Sequence, residues 1–309
     1  MDKEHKQTDK RLTRMERHLL GIYKRANNEL GDKWKKYISS SNQRIKSLEK
    51  DLKQAQQNKD KQEVKRLTYE LQRVKQNFTL LDNHYRALTE QLTLNIAHVN
   101  EVAVAYINEQ LPPIYALNYN ALDGLIKGYS FEAVDPNVIK LLATTDTSLL
   151  PYKDLDVTKD MLWNQQKINA EVMQGILQGE SMDKIANRLS NVIGMNATTA
   201  IRNARTSVTS AENKGRIDSY HKAEEDGVIL EKQWLATYDH RTRDAHMELD
   251  HKHVPIDEPF ENSLGKIMYP ADPNAEPANV YNCRCTLVSY FKGFKSNLTP
   301  EQRKKIKVT

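Results

Sequence analysis

Proline does not occur in this 309-residue sequence before Pro112, and glycine is missing between Gly31 and Gly124. A backbone without its two strongest breakers over that length is free to run as helix. No run of about eighteen apolar residues exists, which excludes a membrane-spanning helix. The opening MDKEHKQTDKRLTRMERHLL has neither the apolar stretch nor the small-residue cleavage site of a signal peptide, so folding in a cytoplasm is expected. Cysteine is almost absent. Cys283 and Cys285 stand one residue apart, and a disulfide across that spacing would be badly strained, so free thiols or metal ligands are expected.

What is present is charge, unevenly placed. Residues 1–100 hold 22 Lys and Arg against 13 Asp and Glu, a net of +9, and the remainder carries 24 against 28, a net of −4. A polyanion is therefore to be sought at the N-terminal third. The candidate phosphate contacts are Lys33, Lys35, Lys36, Arg44, Lys46, Lys65, Arg66, Arg73 and Lys75. Lysines that merely keep a long helix soluble are the plainer alternative.

Within that third, Val64, Leu67, Leu71, Val74, Phe78, Leu81, Tyr85, Leu88 and Leu92 recur in steps of three and four. The register continues through Asn95, Val99, Val102 and Tyr106, a heptad pattern with Asn95 as its one polar core position. As one helix, residues 64–106 would make a rod roughly 60 Å long. Ile45, Leu48, Leu52 and Ala55 form a shorter echo, and QQNKDKQ between the two breaks the register. The expected arrangement is an antiparallel helical hairpin turning near 56–61, with a continuous helix as the alternative. The seam requires a cover: the chain's own helices, a second copy, or another protein. Pro112–Pro113 is expected to end the arm.

Segment boundaries follow from texture. Residues 1–115 read as a basic helical arm, 116–158 as a mixed connector, 159–227 as a helical block, 228–295 as a small α+β module and 296–309 as a basic tail. In the block, Ser181 is placed as an N-cap before Ile185, Leu189 and Ile193, and a long helix is expected to run to Gly227. In the module, VILEKQWLATY and YNCRCTLVSYF read as strands around a long polar loop. The fold class expected is mainly α, with a long N-terminal helical hairpin or coiled-coil arm, a helical block and a small C-terminal α+β module.

The loop contains TYDHRTRDAHMELDH, residues 237–251, with four acids, three histidines and two arginines. Three chemistries fit it. Zinc would take thiolates from Cys283 and Cys285 and an imidazole from His246, completed by Asp239, His251 or His253. Catalysis would use His246 as general base with Arg241 or Arg243 stabilising an anion, in a nucleic-acid- or nucleotide-processing enzyme. No HExxH, P-loop or GxSxG is present to support that. A structural clasp would join Asp239, Arg241, Arg243, His246, Asp250 and Asn282 by charge-assisted hydrogen bonds, with 242–250 as a helix carrying Arg243, His246 and Asp250 on one face. The sequence favours the clasp.

Trp234, the D-x-R-T-R-x-x-H core (Asp239, Arg241, Thr242, Arg243, His246), the Pro270-x-Asp272-Pro273 turn and Asn282-Cys283-Arg284-Cys285 resemble the signature of phage Mu F-like head morphogenesis proteins. GESMDKIANRL and ARTSVTSAENKGR look like the helices that precede it, with Arg205, Asn213, Gly215 and Arg216 at family-typical places and Ser207 where many members have an acid. The resemblance covers about residues 160–290. It implies a minor virion component in the head of a tailed phage, near the portal vertex, with roles in head assembly and DNA packaging or ejection. Portal protein, double-stranded phage DNA and a second copy through the 64–106 heptads are the implied or expected partners. Some members carry a toxin domain after the signature; this sequence stops soon after it, so none is expected here.

Overall fold

The computed structural model describes residues 3–80, 83–178, 180 and 182–306, without the side chains at 34, 35, 37–44, 75–80, 83–85, 176, 177, 182 and 183. The placements read for Phe78, Leu81, Tyr85, Lys35, Arg44, Lys75 and the Ser181 cap lie outside the described side chains, as does the continuity of one rod across 81–82. The chain is mainly α, and the expected order of long helices followed by a small sheet module is observed. It forms two compact units that interleave in sequence. One comprises residues 1–18, 104–154 and 200–309; the other comprises 19–103 and 155–199. This grouping cuts across the segment boundaries read from texture.

In the second unit, the C-terminal part of helix α1 (Lys3–Gln57) turns into α2 (Lys61–Leu80). Asn58 and Lys59 make the turn, with Lys59 at φ 54°, and the Asp60 carboxylate accepts the amides of Gln62 and Glu63, both at 3.1 Å. An Asp N-cap thus supplies the stop that proline or glycine would usually mark. Leu48, Leu52 and Ala55 pack against Val64, Leu67, Leu71 and Val74, so the expected hairpin forms and this part of the seam is covered from within the chain.

Helix α3 (Asn83–Tyr119) corrects two expectations. Its inward face is Leu92, Ile96, Asn100, Ala103 and Ile107, one position on from the heptad reading, while Val102 is 41% exposed. Asn100, not Asn95, is the buried asparagine on this face. It accepts from Tyr23 Oη (2.7 Å) and donates to Asp160 and to Asn196 Oδ1 (2.8 Å); Asn196 in turn donates to Asn164. The second correction concerns Pro112–Pro113, which lie inside α3 rather than at its end. An internal proline costs about 3 kcal/mol or more. Leu111 and Ile114 are fully buried on either side of the pair, each contributing roughly 1.5–3 kcal/mol, and Tyr115 Oη adds a 2.6 Å bond to Asp218. Burial outweighs the breaker.

A 3-10 turn (Asn120–Leu122) and helices α4 (Pro136–Thr145) and α5 (Val157–Leu177) lead to α6 (Met182–Glu225), 44 residues long. The two helical stretches read in the block are one helix, with Ile185, Leu189 and Ile193 buried, and Gly227 ends it at φ 96°.

In the first unit, strand β1 (Val228–Leu235) pairs antiparallel with β5 (Thr286–Phe294) on one side and β2 (His253–Pro255) on the other. Between them lie α7 (Asp244–Met247), the β3–β4 hairpin (Phe260–Asn262 and Gly265–Ile267) and α8 (Pro277–Val280), and α9 (Pro300–Lys305) follows β5. Trp234, Leu249, Phe260, Ile267 and Leu287 make the core of this module. Helix α6 lies against it through polar side chains. Asn213 accepts the Leu287 amide at 2.7 Å, and Arg216 donates to the Leu287 carbonyl (2.8 Å) and to Asn118 Oδ1 of α3. Glu212 accepts from Thr286 Oγ1 (2.8 Å) and pairs with His5 of α1 at 2.7 Å. At Gly215 the α3 backbone comes so close that an added Cβ would stand 2.5 Å from the Tyr115 carbonyl oxygen.

A candidate metal centre beside a polar clasp

Residues 237–251 and 279–286 meet at the start of β5. The expected strand over YNCRCTLVSYF begins only at Thr286, because the backbone before it is engaged elsewhere. Asn282 takes φ 58°, and its amide donates to Thr206 Oγ1 of α6. The Cys283, Arg284 and Cys285 carbonyls accept from Thr209, Thr237 and Asn213 respectively. Extended backbone puts alternate side chains on opposite faces. Both cysteines therefore point into the core and Arg284 points away from it.

Arg284 meets Asp239 with two parallel bonds, 2.5 and 2.7 Å, which hold the Asp239 carboxyl far below the usual carboxylate range. This fork–fork pair is the centre of the clasp. Around it, Thr242 Oγ1 donates to the Thr237 carbonyl, Arg243 donates to the Tyr281 carbonyl, and Asp250 accepts the Ala236 amide at 2.8 Å. Arg241 joins only loosely, its side chain 59% exposed and 3.4 Å from Asp239. The helix expected over 242–250 shrinks to the single turn of α7. Arg243 stands at its extended N-cap, so it and His246 do not share a helical face.

His246 leaves the clasp altogether. Its ring is 1% exposed, edge-on to Trp234. Nδ1 lies 3.5 Å from Cys283 Sγ and 3.6 Å from Cys285 Sγ, and Nε2 lies 2.8 Å from Asn279 Oδ1. All three donor atoms fall within 4.8 Å of one another and all three residues are buried. Of the four ligands read from the sequence, the structure brings together His246, Cys283 and Cys285. Asp239 is committed to Arg284 instead. His251 and His253 are both solvent-facing, His253 stacked on Tyr290 and paired with Glu231. Hydrogen bonding with Cys283, reinforced by His246, outweighs burial at Cys285 and makes it the more acidic thiol, whereas burial raises Cys283.

The sequence reading missed Asn279, Asn262 and Lys232. Asn262 Oδ1 accepts the Leu264 amide at 2.8 Å, which turns its amide nitrogen toward Asn279 Oδ1 at 3.2 Å. Lys232 is fully buried on β1 over the Phe260 ring, its Nζ without a hydrogen-bond partner among the described residues, and burial lowers its pKa to about 8. Alternation within β1 is the only sequence signal for it, since Lys232 falls in phase with Leu230 and Trp234.

These residues lie inside or beside a recognised module. Residues 166–288 match the model of the family described as phage Mu protein F like protein. That stretch, about two fifths of the chain, is a phage Mu F-like module. The chain is 26% identical over 205 residues to minor head protein GP7 of Bacillus phage SPP1, covering 64% of this chain and 66% of GP7. It is 31% identical over 143 residues to NAD(+)–arginine ADP-ribosyltransferase EFV of Enterococcus faecalis, covering 45% of this chain but 28% of the transferase. It is 23% identical over 181 residues to the uncharacterized protein YqbB of Bacillus subtilis, covering 57% and 58%. The matches thus span about a quarter to two thirds of these relatives' lengths. No solved structure matches the chain. The Mu F-like residues flagged on α6 have positions to explain them. Asn213 and Arg216 hold β5, Gly215 admits α3, and Arg205 pairs with Glu16 of α1 at 2.6 Å.

Proposed function

We propose that this Mu F-like protein is a minor head component of a tailed phage, carried in the virion near the portal vertex, whose basic hairpin contacts the packaged DNA. Similarity to minor head protein GP7 is the observation that carries this reading. The clasp, whose side chains bond mainly to backbone and to one another, serves as scaffold for the family module. His246 is sealed from solvent on the described face, which argues against it as a general base for a large substrate. The transferase relative carries no argument for its activity here, because 28% of its length is matched.

Lys33, Lys36, Lys46, Lys65 and Arg73 are exposed on α1 and α2. Arg66 is exposed too but shares its charge with Glu63 and Glu70. Contacts of this kind read no sequence and release counterions. About six of them give a slope near −5 in log K against log salt, a loss of about 10³ in affinity from 50 to 200 mM. Titration of duplex DNA by anisotropy tests this. An affinity that is flat in salt removes the electrostatic mechanism, as does full binding by a Lys46→Ala, Lys65→Ala, Arg73→Ala variant with an unchanged slope. The enzymatic alternative is checked by incubating plasmid with protein and divalent metal. Cleavage lost in His246→Ala would favour it.

A further inference from the structure

We propose that His246 Nδ1, Cys283 Sγ and Cys285 Sγ hold a single zinc ion that staples α7 to the segment leading into β5. This inference is independent of the head-protein reading.

The orientation of the imidazole follows from a backbone amide. The Leu264 N–H fixes Asn262 Oδ1 as an acceptor, so Asn262 Nδ2 faces Asn279 Oδ1, and Asn279 Oδ1 faces His246 Nε2. Nε2 therefore carries the ring proton and Nδ1 the lone pair. A carbonyl-type oxygen on the far nitrogen is the arrangement that orients a metal-bound histidine. Both sulfurs converge on that one lone pair at nearly equal distances, 3.5 and 3.6 Å. One lone pair accepts one S–H, so a thiol pair alone has no reason for that symmetry. A tetrahedral ion about 2.3 Å from sulfur and about 2.0–2.1 Å from nitrogen places its nitrogen and sulfur donors about 3.6 Å apart. The observed separations match.

The surroundings suit the charge. The Cys285 amide lies 3.5 Å from Cys283 Sγ, and the Thr237 amide serves Cys285. Two thiolates and one divalent cation sum to zero, which lets the group stay buried where a lone thiolate would be costly. Soft thiolates with one imidazole select zinc over magnesium or calcium. Three protein donors leave the fourth tetrahedral position to a solvent molecule. The site is enclosed, so the ion's work there is structural: it closes a module of five short strands and long turns.

The test uses full-length protein purified under reducing conditions without added metal or chelating resin. About one zinc per chain is expected, falling below about 0.2 in Cys283→Ser and Cys285→Ser. Reduced, metal-stripped wild type titrated with Co²⁺ should develop a thiolate-to-cobalt charge-transfer band with tetrahedral ligand-field absorption. That readout stands if the serine variants fail to fold. Asn279→Ala, which leaves the donors in place, should weaken zinc 10- to 100-fold against a competing chelator. Zinc below about 0.2 per chain in wild type together with no charge-transfer band overturns the proposal. So does stoichiometric zinc in a folded Cys283→Ser, Cys285→Ser double variant, or a Cys283–Cys285 disulfide in protein purified without reductant and inert to Co²⁺ after reduction.

Discussion

Two glycines on one helix provide a matched test of how α6 is packed. Gly194 and Gly215 both lie in α6, so alanine should gain about 0.8–1 kcal/mol of helix propensity at either place. Nothing lies within 4 Å of a Cβ added at Gly194, and Gly194→Ala should show that gain in full. At Gly215 the added Cβ meets the Tyr115 carbonyl oxygen at 2.5 Å and the Tyr119 amide nitrogen at 3.1 Å. Ordinary carbon–oxygen contacts begin near about 3.3 Å, so the two helices must part by several tenths of an ångström. Both obstacles are backbone, which no rotamer change relieves. Overpacking of this kind costs about 1–3 kcal/mol. The same movement pulls on the Arg216–Asn118 and Tyr115–Asp218 bonds, worth about 1.5–3 kcal/mol each as hydrogen bonds to charged groups. Netted against propensity, Gly215→Ala should destabilise by about 2–4 kcal/mol. Urea unfolding monitored by circular dichroism gives both values, each read on the transition of its own unit. A Gly215→Ala protein as stable as wild type would refute the close α3–α6 approach. Equal losses at both glycines would show that the effect has nothing to do with Tyr115.

Lys232 offers a pH-dependent counterpart: its folded pKa of about 8 lies below the usual lysine value. The native state then binds fewer protons than the unfolded chain between about pH 8 and 10.5, so stability should rise with pH across that window. Lys232→Met should remove the rise and stabilise at pH 7 by about 2–3 kcal/mol, measured as the difference between the two proteins' pH profiles. His5 has the opposite sign. Burial opposes its charge, but the Glu212 carboxylate beside it, with Asp9, prevails and lifts its pKa. Its contribution is complete below the unfolded pKa of about 6.5 and is lost as pH rises through the folded value; thermal scans from pH 5 to 9 should show that decline in wild type and not in His5→Gln. Asp239→Asn releases the Arg284 fork and should speed amide exchange at 237–243 while leaving β1 and the core of β5 protected. Unchanged exchange there would mean that the clasp does not hold the loop.

The parts of the fold legible in the sequence were those with a strong period or a stop signal. The 48–74 hairpin, the long helix to Gly227 and both main strands follow from apolar spacing and from residues that tolerate positive φ. The α3 register was misread because residues 92–107 are apolar on more than one face, and Asn100 is buried only by virtue of Tyr23, Asp160 and Asn196, 60 or more positions away in sequence. Pro112–Pro113 misled for a related reason: local backbone cost is visible in sequence, whereas the burial that outweighs it is not. In the candidate metal centre, Cys283 and Cys285 were legible from their spacing and His246 from its motif. Asp239 looked equally suited as a ligand until Arg284 was found to take both its oxygens. Asn279 and Asn262 carry no spacing signal, since they act only through the fold that brings three loops together.

The claim at the centre is that this Mu F-like chain works at the portal vertex. Mixing the purified protein with its cognate portal oligomer, and following both by size-exclusion chromatography with light scattering, tests it directly. A complex that co-elutes at a fixed ratio of this chain to portal subunit is the predicted result; two independent peaks at micromolar concentrations of both would contradict it.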